Sequence, residues 1–527
     1  MRKIIPIIGF FVMLLRMLGT SPAVAQRPDG QLRLEIVDAK IGQPAVARLH
    51  LKNSRGRPVA QWRGDRLNTG GTFFYINGEK TLPLSVGQYT FEVEAGPEYR
   101  TISGHFEIQR FADDSKRIEM QRIADLAAEG WWAGDLDAEG LPNEELAMSM
   151  RAESLHVVPL MAWMGDGKNF VDVLAGYSPA RPPKEVVILN DRWAYGLLAA
   201  KDESLGGGLL LFSRNQSPAQ LRRTSPAAPT SLTMLKQFSD AGAKVVAKTP
   251  YAWDMPVWIA SEKLDAFTLI HWHSARKRTI DDEKDGRPRD RGLFPGKSGN
   301  GRWAEAVYHH ALNCGFRLPP AAGSPRDIGP DAGPYGTNRV YVYCGDEFSY
   351  ERWWDGLEAG RVFVTNGPLL RPMVNGQPPG HVFRVGEGQT LSLEVGLNLA
   401  TSTPVEYLEI VKNGEVEISE RLADWVNKKG RLPPLTFDDS GWFLVRAVTT
   451  DKEKYQLAST GPYYVEKAGR PRISKRSVRF FLDWIAAASE RISKLPDLDD
   501  ATRSALLAEQ AAARQHFDEL LSRANAE

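Results

Sequence analysis

Residues 130–160 read GWWAGDLDAEGLPNEELAMSMRAESLHVVPL, and the order of local patterns in this stretch is the first guide to the fold. Its apolar start, GWWAGDL, is typical of a buried strand, and the Glu-rich run NEELAMSMRAESL has the spacing of an amphipathic helix. The chain then returns to an apolar strand at HVVPL. A strand, a helix and a second apolar strand in this order predict parallel strands joined by a helical crossover.

The same alternation continues over residues 115–370. The apolar runs EVVILND, GGLLLFS and LDAFTLIHWH are separated by helical segments such as SLTMLKQFSDAG. Short apolar runs between helices indicate parallel strands that are buried on both faces. We therefore predict an α/β layered or barrel-like domain over residues 115–370, in which the strand ends carry the chemistry.

Two β-rich segments flank this domain. Over residues 27–112, short segments of alternating apolar and polar side chains are separated by turns such as SRGRPV, which predicts a β-sandwich. Its phrase GRPV…GQYTFEVEAGPEYR resembles carboxypeptidase-regulatory-like modules. Residues 371–466 return to β character, and the pair Asn413-Gly414 predicts a hairpin in a second sandwich.

Residues 467–527 have a helical period. Val478, Phe481, Leu482 and Ile485 recur at the spacing of one helical face, and Pro496 ends this helix before a second one begins. We predict a helical hairpin that packs back on the body, with a dimerisation element as the alternative.

The first 25 residues have the features of a signal peptide. Arg2 and Lys3 precede an apolar run, and a small-residue cleavage sequence, AVA, ends at residue 25. We expect an exported chain, periplasmic or extracellular, with no membrane span after signal cleavage. A retained membrane anchor is the alternative.

Composition excludes some classes of function. The chain has 66 Lys+Arg against 65 Asp+Glu, so no basic face is implied and we expect no nucleic-acid partner. Export permits a disulfide between Cys314 and Cys344, but two buried free thiols are an equal alternative. The sequence also lacks the motifs of a serine nucleophile or a phosphate-binding loop.

Acidic side chains follow the GWWAGDL run. Asp135, Asp137 and Glu139 are spaced by two residues, so a continued strand would direct all three to one face. Three carboxylates on one face repel one another unless a cation or water neutralises them, and their oxygens suit Mg²⁺, Ca²⁺ or Mn²⁺ better than Zn²⁺. The alternative is that the residues after Leu136 form a solvated loop.

Two histidines follow another apolar run. His271 and His273 come directly after FTLI, with the i, i+2 spacing of a metal-ligand pair. Two histidines hydrogen-bonded at a loop mouth are the alternative. Asp254, in PYAWDMPVW, is a further acidic candidate in the same domain.

Together these segments resemble a known family. The order GW-x-x-GDL, RAESL, WDMPVW, LNCGFRLPPAAGS and GLEAGRVFVTNGPLLRPMVNGQPPG is similar to that in the CehA/McbA-like metallohydrolases of the PHP (polymerase and histidinol phosphatase) superfamily. The resemblance extends over most of the chain. It implies a distorted PHP-like α/β barrel with a metal cluster at the carboxyl ends of its strands. It also implies metal-assisted hydrolysis of small ester, amide or carbamate substrates.

The chain departs from the family pattern at the metal motif. Asp137 and Glu139 occupy both histidine positions of the family's GD-L-H-x-H sequence. Lys248 lies where relatives carry an acidic residue before the Trp-Asp-x-Pro segment, and Gly-Ser-Pro at 323–325 replaces a Gly-Ser-Asp ligand segment. Of the expected active-site positions, only Asp135, Asp254 and His273 match.

These departures leave competing hypotheses. The first is a degraded metal site in which a Lys–carboxylate pair replaces the ion. The protein would then be non-catalytic and would bind a small molecule in the barrel cleft, or a partner. The second is a divergent hydrolase whose divalent metal, Mn, Zn or Fe, is held by Asp137, Glu139, His271 and His273. Asp135 and Asp254 would then be its catalytic residues, with Asp254 orienting a ligand or taking a proton. The third is a cell-surface interaction protein in which the sandwiches carry the function.

Overall fold

A computed structural model describes residues 29–59, 73–139, 144–173, 175, 187–190, 193–214, 222–276, 278–284, 286–324, 333–451 and 453–527. The expected signal peptide over residues 1–25 lies outside the described residues. Within them the chain is a multidomain, mostly β protein with a C-terminal helical pair. None of the helices in this described part is long and apolar enough to cross a membrane.

The N-terminal module consists of two sheets that share one core. Alternate side chains such as Leu32, Leu34 and Ile36 point inwards from one sheet and meet Leu49 and Leu51 of the other. The strands are β1 (Gly30–Asp38), β2 (Val46–Asn53), β3 (Phe74–Asn77), β4 (Glu79–Leu84), β5 (Gly87–Glu94), β6 (Ile102–Ile108) and β7 (Asp113–Met120). Their orders in the two sheets are β4-β1-β7 and β3-β2-β5-β6.

This module continues past the boundary that the sequence predicts. We expected it to end at residue 112, but β7 pairs in parallel with β1 and carries it to Met120. The β7 sequence DDSKRIEM is exposed at most positions, because the strand lies at the sheet edge. Only Ile118 and Met120 are buried, so its apolar periodicity is too short to be recognised.

The central strands belong to one closed barrel. They are β8 (Trp131–Gly134), β9 (Val157–Gly165), β10 (Phe170–Asp172), β11 (Val187–Asn190), β12 (Trp193–Ser204), β13 (Gly207–Phe212), β14 (Lys244–Ala247), β15 (Ala266–Ile270), β16 (Pro320–Ala322), β17 (Arg339–Tyr343) and β18 (Val362–Thr365). The helices are α1 (Glu144–Ala152), α2 (Ser231–Asp240), α3 (Met255–Ala260), α4 (Gly299–Asn313) and α5 (Tyr350–Glu358). Apolar runs such as β15 are buried at every position, as expected of barrel strands.

Strand direction places several strand ends at one edge of the barrel. The pairs β8–β9, β9–β12, β14–β15 and β15–β16 are parallel. The GGLLLFS run, which we expected to be parallel, forms β13 and is antiparallel to both β12 and β14. Only two residues separate β12 from β13, which is too short for a crossover and enough for a hairpin. As a result β8, β9, β12, β14, β15 and β16 all point the same way.

Most of the C-terminal strands continue the barrel sheet, and the others form two separate two-stranded sheets. The elements are β19 (Leu369–Val374), β20 (Val382–Val385), β21 (Leu391–Leu393), β22 (Val395–Ala400), β23 (Val405–Lys412), β24 (Glu415–Arg421), α6 (Leu422–Asn427), β25 (Leu435–Phe437), β26 (Gly441–Thr449), β27 (Leu457–Thr460) and β28 (Tyr463–Lys467). β27 pairs antiparallel with β18, so hydrogen bonding crosses the boundary expected at residues 370 and 371. The hairpin expected at Asn413-Gly414 joins β23 and β24.

The chain ends in two long helices, α7 (Lys475–Lys494) and α8 (Asp500–Ser522). The side chains of Ser474 and Asp499 cap their first turns by accepting backbone hydrogen bonds. Phe481 of α7 stacks on Phe517 of α8 with ring centroids 5.2 Å apart. Both helices contact α3, so the helical pair packs back on the body.

The two cysteines do not pair with each other. Cys314, at the end of α4, is buried, Cys344 is half-buried, and both are free thiols. Burial raises the pKa of the Cys344 thiol to about 12. The free-thiol alternative is therefore the one that the structure has.

Candidate functional site

Polar side chains gather where the parallel barrel strands end. They follow β8, lie near the end of β12, and follow β14 and β15. Neighbouring members contact or influence one another electrostatically. We call these eight side chains the strand-end cluster: Asp135, Asp137, Glu139, Lys201, Glu203, Lys248, His271 and His273.

Asp135 organises the loops around the cluster. Its Oδ1 accepts hydrogen bonds from the backbone N–H of Asp137 at 3.1 Å and of Ser324 at 2.9 Å. Its Oδ2 accepts one from Gly336 at 2.7 Å. Burial raises the pKa of Asp135, and the hydrogen bonds that its carboxylate accepts act in the opposite direction. Asp135 therefore ties together three segments that follow or precede barrel strands.

An ammonium group lies between Asp137 and Glu139. Lys201, on β12, places its Nζ 2.8 Å from Asp137 and forms a second ion pair with Glu139. The lysine is only 6 % exposed. Burial alone would lower the pKa of Lys201, but the nearby carboxylates of Asp137 and Glu139 outweigh burial and raise it. Lys201 is therefore a permanent cation at the position where the sequence predicts a metal ion.

A second ion pair extends the cluster. Glu203 lies two residues after Lys201, on the same face of β12, and pairs with the ammonium group of Lys248. Burial would raise the pKa of Glu203, but Lys248 and Lys201 lower it. We hypothesised that Lys248 pairs with the carboxylates of the altered metal motif. Lys248 pairs with Glu203 instead, and Lys201 lies beside Asp137 and Glu139.

Sequence reasoning missed Lys201 and Glu203, although a signal for them was present. In the run GLLAAKDES, three consecutive charged residues, Lys201, Asp202 and Glu203, follow an apolar stretch, so the strand carries charge on both faces. The intervening Asp202 points to the other face, where it forms a buried pair with Arg223. Charges on both faces of a buried strand require partners on both faces.

The two predicted histidines meet, but they have few polar partners. Their ring centroids are 4.5 Å apart and nearly perpendicular. Three of their ring nitrogens, both of His271 and the Nδ1 of His273, have no hydrogen-bond partner among the described residues. Burial lowers the pKa of His273 to about 3 and that of His271 well below its ordinary value. Both are neutral imidazoles at physiological pH.

The backbone beside His271 is held in place by Asn338. The Nδ2 of Asn338 donates hydrogen bonds to the carbonyl oxygens of His271, at 3.1 Å, and Gly323, at 3.0 Å. A Cβ at Gly323 would lie 2.5 Å from the Cβ of Asp137, so only glycine permits this close approach. Pro325, the third residue of the predicted ligand segment, lies outside the described residues.

Asp254 is directed to a different place. Its carboxylate accepts hydrogen bonds from Ser231 Oγ at 2.6 Å and from Gln510 Nε2, on α8, at 3.4 Å. Burial raises the pKa of Asp254. It also raises the pKa of Glu509, the neighbour of Gln510, to about 7, and the charge of Asp254 adds to this second shift. The contacts of Asp254 are with α2 and the helical tail, rather than with the strand-end cluster.

The strand-end cluster does not fit a metal ion. A protein metal site needs three or more ligand atoms that converge on one point. Within the described part of the chain, one group of three His, Cys, Asp or Glu ligand atoms lies within 4.8 Å of one another, and it is in the N-terminal module. At the strand ends, the ammonium group of Lys201 holds Asp137 and Glu139, and it repels a second cation.

Comparisons with known proteins add little to this geometry. No protein-family model and no curated protein matches the chain. The Bacillus anthracis TIE protein matches with 17% identity and a TM-score of 0.14. The match covers 21% of this chain and 19% of that one. The N-terminal four Ig domains of Dscam1 isoform 4.4 have 8% identity and a TM-score of 0.13, covering 84% of this chain and 98% of that one. At such TM-scores neither similarity indicates the fold or the function of this chain.

Proposed function

We propose that the protein is an exported, non-catalytic relative of the CehA/McbA-like metallohydrolases. Its PHP-like barrel would bind a small molecule or a partner at the strand-end cluster. One observation carries the proposal: Lys201 forms ion pairs with Asp137 and Glu139, which stand where relatives have two metal-binding histidines. The ion pairs thereby replace the interactions that a metal would make.

The charges of the cluster support this assignment. The cluster has four acidic side chains. Asp135 accepts three backbone hydrogen bonds, and the ammonium groups of Lys201 and Lys248 compensate two of the charges of Asp137, Glu139 and Glu203. A divalent ion would have to displace Lys201 and leave its buried ammonium group without a partner. Removing the partner of a buried charge is strongly unfavourable. These ion pairs therefore support a cluster that holds no metal.

Groups remain that could receive a ligand. The side chains of Glu139 and Glu203 are 22% and 35% exposed, so the cluster is open at these carboxylates. The unpartnered ring nitrogens of His271 and His273 can accept or donate hydrogen bonds. A neutral polar molecule with both donors and acceptors matches this set.

Metal content tests the proposal. We expect the purified mature protein and its Asp137→Ala/Glu139→Ala variant to contain the same amounts of Mn, Fe and Zn by elemental mass spectrometry. Stoichiometric metal that is present in the wild type and lost in the variant would overturn the degraded-site proposal. Amino-terminal sequencing of the mature chain tests export, with a start at Gln26 expected from the cleavage sequence.

A reconstruction sharpens the test. Restoring histidines with Asp137→His and Glu139→His, and removing the ammonium group with Lys201→Met, should create Mn²⁺ binding that calorimetry detects. The matched control restores the histidines and keeps Lys201. It should bind less Mn²⁺, because the buried cation remains. Equal binding by the two variants would show that Lys201 does not exclude the metal.

One observation favours a second candidate, the divergent hydrolase. Three buried imidazole nitrogens without partners are unusual, because buried polar atoms are normally hydrogen-bonded or bound to an ion. Hydrolysis of small aryl esters and amides tests this candidate. Activity that chelation abolishes, and that His271→Ala removes in a folded protein, would establish it in place of the non-catalytic proposal.

A further inference from the structure

A second set of ligand-type side chains lies on the N-terminal module. His50 on β2 is directly opposite Glu92 on β5 in the antiparallel register, and Glu94 is two residues further along β5. All three side chains therefore lie on one face of this strand pair. One ligand atom of each lies within 4.8 Å of those of the other two.

We propose that His50, Glu92 and Glu94 bind a Zn²⁺ ion at the junction between this module and the barrel. One imidazole and two carboxylates are ligands that Zn²⁺ accepts at about 2.0–2.2 Å, whereas Ca²⁺ and Mg²⁺ prefer oxygen ligands alone. Three protein ligands leave a fourth position for water. Small rotations of side chains that are already within 4.8 Å of one another would bring the ligand atoms to one centre.

The environment of the carboxylates supports this site. Glu92 is half-buried, and no hydrogen bond or ion pair holds its carboxylate among the described residues. The side chains of His50 and Glu94 are 14% and 17% exposed, which leaves a path for an ion.

Arg276 competes with the ion for Glu94. The Oε2 of Glu94 contacts His50 Nε2 at 3.0 Å, Arg48 Nη1 at 2.9 Å and Arg276 Nη2 at 2.5 Å. Arg48 is also paired with Glu153, at 2.5 Å, so it keeps a partner if Glu94 turns towards an ion. Arg276 has Glu94 as its ion-pair partner in the described part of the chain. Zinc binding should thus displace Arg276.

This competition connects the zinc site to the barrel. Arg276 lies three residues after His273, on the loop that leaves the strand-end cluster. Its ion pair with Glu94 fastens that loop to the N-terminal module. Zinc would weaken the ion pair between Arg276 and Glu94 and so release the loop. By thermodynamic linkage, this ion pair would weaken zinc binding by the same factor.

Calorimetric titration of the full-length protein with ZnCl₂ tests the proposal. We expect one ion per chain, and an affinity lowered by about 10–100-fold or more in His50→Ala and in Glu92→Gln. We expect Arg276→Ala to raise the affinity, because it removes both a competitor and a positive charge. His105→Ala, an exposed histidine on β6 of the same module, is the matched control and should leave the titration unchanged.

Three results would overturn the proposal. The first is unchanged zinc affinity in both His50→Ala and Glu92→Gln when their thermal unfolding shows that they are folded. The second is equal binding of Ca²⁺ and Zn²⁺. The third is zinc binding that His273→Gln removes and His50→Ala retains, which would assign the ion to the strand-end cluster and favour the hydrolase instead.

Discussion

Two buried acidic regions of this protein compensate their charges in opposite ways. In the strand-end cluster, Asp137 and Glu139 share the ammonium group of Lys201. Under the helical tail, the hydrogen bonds that Asp254 and Glu509 accept come from neutral donors, although the charges of Arg491 and Arg223 also act on Asp254. Burial raises the pKa of Asp254 and brings that of Glu509 to about 7.

The comparison shows two ways in which a protein can accommodate a buried carboxylate. The carboxylate can remain ionised beside a buried cation, or it can take up a proton and become a neutral hydrogen-bonding group. The first solution makes stability depend on a partner residue. The second makes it depend on pH. The two regions should therefore respond differently to the same perturbations.

Removing the cation should have the largest effect. Lys201→Met leaves Asp137 and Glu139 without their ion pair, and we expect the free energy of unfolding to fall by about 3–5 kcal/mol, because Asp137 stays buried as an unpaired charge. Urea unfolding followed by tryptophan fluorescence measures this fall in the free energy of unfolding.

The control for this change is an exposed ion pair. Lys263→Met, which removes a lysine paired with Asp240 at the surface, should cost no more than about 1 kcal/mol. Adding Asp137→Leu to Lys201→Met should recover part of the loss, because the unpaired charge is removed. If Lys201→Met and Lys263→Met have equal effects, Lys201 does not compensate the buried carboxylates.

The same isosteric exchange should separate the two regions. Asp137→Asn removes one charged hydrogen-bond partner of Lys201 and should cost about 2–3 kcal/mol. Asp254→Asn replaces a carboxyl group that has neutral partners and should cost less than about 1 kcal/mol at pH 6. Differential scanning calorimetry of both variants makes the comparison. A larger cost at Asp254 would show that it is ionised and essential in that form.

Acid should destabilise the strand-end cluster through its histidines. The pKa of His273 is about 3 in the folded protein against an ordinary value of 6.5, so between these pH values the unfolded chain binds the extra proton. The contribution of His273 to the free energy of unfolding is therefore fully present above pH 6.5 and is lost as the pH falls towards 3. Between pH 7 and pH 5 the loss should be about 2 kcal/mol for this residue.

His273→Gln isolates that contribution. Thermal unfolding at pH 7 and pH 5 should show a loss that is about 2 kcal/mol smaller in the variant than in the wild type. His105→Gln, at an exposed position on β6, is the control. An equal pH dependence in the wild type and in His273→Gln would mean that His273 already carries a proton or a ligand in the folded protein.

The sequence predicts where polar groups meet, but not which groups compensate them. Asp135, Asp137 and the pair His271 and His273 follow strands that end at one barrel edge, so direction and spacing alone bring them together. Lys201 comes from an interior strand position 62 residues after Glu139. No local pattern links two such distant positions, and a lysine in a strand is normally interpreted as exposed.

Asp254 shows a different limit of sequence reasoning. Its place in a Trp-Asp-x-Pro segment suggested the barrel site, yet its partner Gln510 is 256 residues away on α8. The helical pair was predictable from its apolar period, whereas the surface on which it packs was not. The continuation of the barrel sheet into β27 was missed for the same reason, since strand pairing between distant segments leaves no local pattern.

The smallest effect should come from the tail carboxylate, with the opposite dependence on pH. Glu509 has a pKa of about 7 in the folded protein against an ordinary 4.5, so between these values the folded state binds the extra proton. Stability from this group is present below pH 4.5 and is lost as the pH rises through 7. Glu509→Gln removes the loss and should stabilise the protein at pH 8 by about 1 kcal/mol, after allowance for the partial solvent exposure of the side chain. Glu519→Gln, at an exposed position on the same helix, should give no gain. If both variants unfold as the wild type does at pH 8, Glu509 is ionised without penalty, and the contrast between a cation-compensated and a proton-compensated region would rest on Asp254 alone.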